Sequence, residues 1–341
     1  VVCKLRTYLY QVREESNRIG VLLLVLLAVA AVSASQPSIY DNETYYLATI
    51  QWLYYDGWVQ GIANLHPFMA QQSSWHVAEA LFQLPNEVFF NDLNGLALIF
   101  FNGWLLFGPL HTINPLRLFW FLAFNALAFT LIDSPSPDLM VLLCTVWVVL
   151  KTGDLYRKTW LPIVIIITWA TTVKLTAITL FIIPVAYLSK ASAKHRLKAV
   201  WIVVLAALIT IAKNTYTSGW PFFPIAFSFG ASPNWQLPDR IMQLLAIMGD
   251  ASAYGISYRE ATTSNFMEMF PQWLLQGGID GLLNLLFLLV LVGAVWRLIM
   301  QPNSLWFSIL ITLFLHTTLL FLTSPQSRFF MHLTIAVAAL L

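Results

Sequence analysis

From Trp160 to Leu188 the chain is almost continuously apolar, with Lys174 near the middle and basic residues on both flanks. One helix over this stretch would be about 43 Å long, well beyond the ~30 Å hydrocarbon core of a bilayer. A single crossing would also put Lys151, Arg157 and Lys158 on one side and Lys190, Lys194, Arg196 and Lys198 on the other. Short loops rich in Lys and Arg stay cytoplasmic. Two short helices turning near Thr171 to Lys174 satisfy both conditions. They also spare the cost of a lysine buried at mid-membrane. The stretch therefore reads as a hairpin with Lys174 at its outer end.

The composition agrees. Of 341 residues, 59% are hydrophobic, 15% aromatic and only 10% charged, where a soluble domain carries roughly 25% charged residues. Most of the surface must then face lipid or buried protein. A net charge of +2 with no basic aromatic patch excludes nucleic acid as a partner. Cys3 and Cys144 have neither disulfide nor zinc-site spacing. Lys4, Arg6, Arg13 and Arg18 precede an apolar core ending at Ala34-Ser35, which is the layout of a signal peptide. The many spans behind it favour a retained anchor. The chain begins at Val1 and stops within the apolar run Leu333 to Leu341, so further spans are expected downstream.

Taken in order, residues 1–18 are a basic amphipathic cytoplasmic lead and Ile19 to Ser35 is a first span. Residues 36–93 form a long polar-aromatic outer loop. Spans follow at Leu96–Phe107, Leu118–Ile132 and Leu139–Leu150, then the hairpin, then Leu197–Ala212. A second long outer loop occupies 213–276. Ile279–Trp296 and Leu305–Leu322 cross again, and Phe329 starts another span. The expected architecture is a single all-α transmembrane domain over 1–341, a polytopic bundle of about nine or more spans. With the N-terminus inside, the turns rich in Lys or Arg fall in the cytoplasm. Asp41, Glu43, His66, His76, Asp133, Asp138, Lys174, Lys213 and Arg328 then share the outer face. A carrier more often places ionisable groups at mid-depth. One loaded face points to an extracytoplasmic active site fed from the membrane.

The densest chemistry lies in Asp41-Asn42-Glu43-Thr44-Tyr45-Tyr46, Gly61-Ile62-Ala63-Asn64-Leu65-His66 and Ser73-Ser74-Trp75-His76. An Asp at the water edge of a bundle takes a proton from a hydroxyl or holds a cation. Asp41 also suits a helix N-cap. With Ser136-Pro137-Asp138, Ser218-Gly219-Trp220-Pro221-Phe222-Phe223-Pro224 and Ser324-Pro325-Gln326-Ser327-Arg328-Phe329, the order of these stretches resembles the GT-C superfamily of integral-membrane glycosyltransferases. The closer likeness is to bacterial multi-spanning relatives of that superfamily. The resemblance implies transfer of a sugar, usually with inversion, from a polyprenyl-phosphate sugar to an acceptor on the outer face of the bacterial plasma membrane. It implies that Asp41 is the base or positions the acceptor.

Within that reading, Lys174, Lys213 and Arg328 are candidates for the lipid-linked phosphate, Arg as a fork and Lys as a point charge. Lys213 serves equally as an interfacial anchor whose stem lies along lipid. Glu43 is a second catalytic candidate. On a helix, Asp41 and Glu43 diverge by about 200°, so a divalent cation shared by them needs an extended backbone there. Asp138 either joins the site or caps the fourth span, since Pro137 precedes it. His66 and His76, ten apart, lack ligand spacing, so a hydrogen-bonded structural role is expected, with His66 kept as a substrate-side candidate. The competing classes are a lipid or solute transporter, marked by internal repeats, and a non-catalytic subunit of a membrane complex.

The hairpin is testable in intact cells with an impermeant thiol reagent. Cysteines placed at Tyr156 and Ala193 should stay unlabelled from outside. Labelling of either one refutes the turn at Lys174.

Overall fold

Lipid offers no hydrogen-bond partners, so apolar segments satisfy their backbone internally as helices. The computed structural model describes residues 2–37, 39–83, 93–110, 115–152, 160–188, 191–227, 230 and 232–341, and it is helical with no strand among them. Arg157, Lys158 and Lys190, the inner marks of the expected hairpin, lie outside the described residues, as do residues 84–92 of the first outer loop.

Four helices are long and apolar enough to cross a membrane among the described residues: Glu15–Ser33, Ala193–Ser218, Gly278–Met300 and Ser304–Phe321. Five further apolar helices have 10–17 residues. The basic lead and the first apolar segment lie on one helix. Helix α1 runs unbroken from Val2 to Ser33, a stretch without proline. The first long loop then folds into a π-helical turn at Asn42–Tyr46, α2 (Leu47–Tyr55), two 3-10 turns and α3 (Ser74–Leu81). The Ser73 side chain caps α3 by accepting from the His76 amide.

Helices α4 (Asn94–Phe107), α5 (Pro115–Phe129), α6 (Pro137–Lys151) and α7 (Trp160–Val173) follow. Lys174 breaks the next helix with an extended backbone, φ −149° and ψ 122°. The 3-10 segment Leu175–Phe181 and α8 (Ile182–Leu188) then fold back onto α7. This is a hairpin turning at the expected residue. Helix α9 (Ala193–Ser218) continues six residues past the predicted span, so Lys213 sits in a helix and not in a loop. It ends only at Gly219, where φ is +78° and a Cβ would meet the Gln236 Cα at 2.4 Å. Beyond it lie α10 (Asp239–Tyr254), α11 (Tyr258–Thr263), α12 (Phe266–Leu274), α13 (Gly278–Met300), α14 (Ser304–Phe321) and α15 (Ser327–Ala338).

The core sits around α6 and α15. Leu139 to Val146 and Phe330 to Val337 are buried on every face, and the two helices pack along their length. By contrast α9 and α13 expose Leu197, Trp201, Leu208, Leu282, Leu289 and Ile299. A helix buried all round belongs to the interior, and one with a bare apolar face belongs against lipid. The outer segment α10–α12 is tied in by Trp273. This residue is fully buried, stacks on Phe270 and donates from Nε1 to the Pro325 carbonyl at 2.7 Å.

Two buried asparagines fix α4. Asn94 donates to the carbonyls of Leu131, Ser134 and Ser136. Asn102 and Asn125 exchange amide hydrogen bonds across α4 and α5, both at 2.9 Å. Removing one member leaves the other's buried carbonyl unsatisfied, whereas removing both does not. Asn102→Leu should therefore be less stable in detergent than Asn102→Leu with Asn125→Leu, by about 1 kcal/mol or more. Equal midpoints for the two would show that the pair carries no such cost.

Candidate functional site

Four residues chosen from sequence meet at one end of the α6–α15 core, each placed by the end of an element. Arg328 is the second residue of α15. Asp138 is the second residue of α6, after Pro137, and Ser136 takes the cap position. Lys174 is the extended residue of the hairpin turn. Asp41 opens the π-helical turn and makes no side-chain cap bond, so its carboxylate is free for other partners.

Arg328 donates from Nη1 to Asp41 Oδ2 at 2.9 Å and from Nε to Gln326 Oε1 at 2.9 Å. Its Nε also lies 3.8 Å from Asp138 Oδ2. The other Asp138 oxygen is hydrogen-bonded and ion-paired to Lys174. The Lys174 Nζ stands 3.4 Å from the centroid of the Phe329 ring, a cation–π contact that shields its other side. Asp138 is 6% exposed, Asp41 20%, Lys174 21% and Arg328 35%, so the cluster runs from a buried Asp138 through half-buried Lys174 and Asp41 to the more open Arg328. Two carboxylates balance two cations, and a buried pair is tolerable only with such closure.

Tyr46 is the site residue that sequence reasoning passed over. Its hydroxyl donates to Asp41 Oδ2 at 3.5 Å. On an α-helix residues five apart point about 140° away from each other. The π-helical turn, with its i→i+5 bonds, brings Tyr46 round to Asp41. Nothing in the residue types signals such a turn. Burial raises the Tyr46 pKa, with Asp138 adding to it, so the phenol stays a donor across the physiological range.

Behind Tyr46 the His76 ring lies 5.1 Å away. Burial pushes the His76 pKa down to about 3, and the charge of Lys213 adds to that. Lys213 reaches the same pocket from α9 and donates to the Gln72 carbonyl at 2.8 Å. Glu43 is exposed, and the His66 ring rests 5.8 Å from that of Phe68. No hydrogen bond or ion pair joins either residue to Asp41 among the described residues.

The open end of the cluster borders a cleft of about 280 Å³ lined by Asp41, Arg328, Gln326, Ser327, Gln276 and Asp280. Ser327 hydrogen-bonds Asp280 across its floor. The cleft residues outside the first loop come from α10 (Ser252 and Ala253), from the starts of α13 and α15 and from the residues just before them, and the Trp273–Pro325 bond ties α12 to the segment before α15. Such a site can hold a polar ligand beside the Asp41 and Asp280 side chains.

Residues 2–335 match a family described as a domain of unknown function (DUF8201). The chain belongs to this family. No curated protein and no solved structure matches the chain. The family match spans all four clustered charges, so the cluster lies inside the shared domain.

The His76 environment gives a pH test. In the unfolded chain the ring binds a proton below about 6.5, and in the folded chain only below about 3. Between those values the unfolded state holds the extra proton, so stability falls as pH falls. The slope from this group is about 1.4 kcal/mol per pH unit. His76→Gln should flatten the parent's loss of stability between pH 6 and pH 4 (about the middle of that window). Parallel curves for parent and variant would place His76 in contact with water.

Proposed function

We propose that this membrane protein is a glycosyltransferase that moves a sugar from a polyprenyl-phosphate donor to an acceptor hydroxyl at the extracytoplasmic face. The reading takes the four long helices, the five shorter apolar helices and α6 as a bundle of nine or more spans with the N-terminus inside. Its main support is the state of Asp41. One carboxylate oxygen is anchored by both Arg328 and Tyr46, and the other, at the cleft edge, has no hydrogen-bond or ion-pair partner among the described residues. A base needs that arrangement, with its orientation fixed and one lone-pair edge open.

In this mechanism the free oxygen of Asp41 takes the acceptor's hydroxyl proton as that oxygen bonds to the sugar's anomeric carbon. The bond from the anomeric carbon to the phosphate oxygen breaks, and polyprenyl phosphate leaves. Arg328 keeps the Asp41 carboxylate aimed. Lys174 and Asp138 hold Arg328 from behind. Because the four charges sum to zero, this cluster has no surplus positive charge for the departing phosphate. That favours Arg328 and Lys174 as holders of the base over the phosphate role expected from sequence. The same closure also suits a second reading, a non-catalytic subunit in which the charges only tie the first outer loop to the core.

Release of polyprenyl phosphate by the purified full chain, tested over a panel of polyprenyl-phosphate sugars, separates the two. Asp41→Asn should lower turnover about 10²–10⁴-fold with the fold retained. Arg328→Lys keeps the charge without the fork and should restore only part of what Arg328→Ala loses. Turnover by Asp41→Asn at the parent's rate removes Asp41 from the chemistry. Absence of turnover in the parent over the whole panel favours the structural reading.

A further inference from the structure

Lys213 differs from the other two cations of this region. Lys174 faces Asp138 and Arg328 faces Asp41, but Lys213 makes no ion pair with any carboxylate among the described residues. One of its three N–H groups goes to the Gln72 carbonyl, and the rest have no acceptor among the described residues. Uncompensated cations are costly away from water and are normally paired.

The groups around it are also incomplete. The Gln72 side chain is 2% exposed, and neither its Nε2 nor its Oε1 has a partner. His76 is 2% exposed with both ring nitrogens unpartnered, and the Pro135 carbonyl lies beside the ring outside hydrogen-bonding geometry. Buried polar groups are almost always satisfied, so a group of orphans around an unpaired ammonium marks the place of something that binds there. The ammonium, the Gln72 amide N–H groups and the one N–H of a neutral imidazole offer donors to an anion with several acceptor oxygens, and a P–OH on that anion can serve the orphaned Gln72 Oε1 or the second ring nitrogen.

The position of Lys213 narrows the class. It lies near the end of α9, whose bare face carries Leu205, Leu208, Ile209 and Tyr216 toward lipid. An anion reaching Lys213 along that face arrives with an apolar chain attached.

We propose that Lys213, with the side chains of Gln72 and His76, binds the phosphate of a membrane-borne lipid phosphate. The site adjoins Asp41 through Tyr46, which touches Asp41 with its hydroxyl and His76 with its ring. As the place of the donor phosphate it rests on the transferase reading. As an anion site it does not.

The test is direct binding of a prenyl phosphate to the purified full chain in detergent. Inorganic phosphate and phosphatidylglycerol micelles serve as competitors. Lys213→Met should weaken binding at least about tenfold, the loss of one charge-assisted contact. Lys213→Arg should retain most of it, and Asp41→Asn should stay within about twofold of the parent, as expected for a separate site. Gln72→Leu should weaken binding while raising the melting temperature of the ligand-free protein, because two orphaned polar atoms go. A purely structural amide would instead lose stability on that change. Competition by inorganic phosphate identifies the headgroup as sufficient, and competition by phosphatidylglycerol alone assigns the site to bulk anionic lipid. If Lys213→Met and Gln72→Leu both bind prenyl phosphate as the parent does, the site is not there. If binding behaves as stated but Asp41→Asn turns over normally, the anion site stands and the transferase mechanism falls.

Discussion

The guanidinium of Arg328 is the contact on which the rest of the arrangement depends. It stands in the first turn of α15, where the helix macrodipole disfavours a cation, and it is only partly exposed to water. It stays there because Asp41 and Asp138 face it from two other elements and Gln326 fills a third direction. One planar group with several fixed donors can face several acceptors at once, and an ammonium cannot hold the same fork. Through Arg328 the first outer loop, the start of α6 and the loop before α15 become one site.

Two electrostatic regimes then lie side by side. Around Arg328 the charges close on themselves, and removing one member would leave another bare in a poorly solvated place. Around Lys213 they do not close, and neutral orphans take the place of a counterion. Tyr46 stands between the two, bonded to one and stacked near the other. A base that must be held without being consumed suits the first regime. A ligand that brings its own negative charge suits the second.

Much of this was legible in the residues. The hairpin turn at Lys174 follows from charge on both flanks and a length that one crossing cannot use. Ser136-Pro137-Asp138 announces a helix start, although the serine takes the cap and the aspartate turns to Lys174. Arg328 was legible as a charge in a short outer turn. What the residues could not show was pairing, because Asp41, Asp138, Lys174 and Arg328 come from four separate loops and any opposite charges on one face look alike in sequence. The cap reading of Asp41 gave way to Arg328, a partner 287 positions away. Tyr46 was hidden by a π turn that no residue type specifies. Lys213 looked like a loop residue because polarity rises there, yet a helix ends where its backbone can turn, and that is Gly219.

The asparagines of α4 have a bearing on all of this. Apolar faces in lipid slide past one another with little change in energy, since hydrocarbon on either side is equivalent. A one-residue slip moves a helix by 1.5 Å, enough to break a hydrogen bond but hardly a leucine contact. Asn102, locked to Asn125, indexes α4 against α5, and Asn94 indexes the start of α4 against the carbonyls just ahead of α6. The depth at which Asp138 meets Lys174 and Arg328 is thus set by polar pins at a distance, much as a dowel sets the alignment of smooth plates.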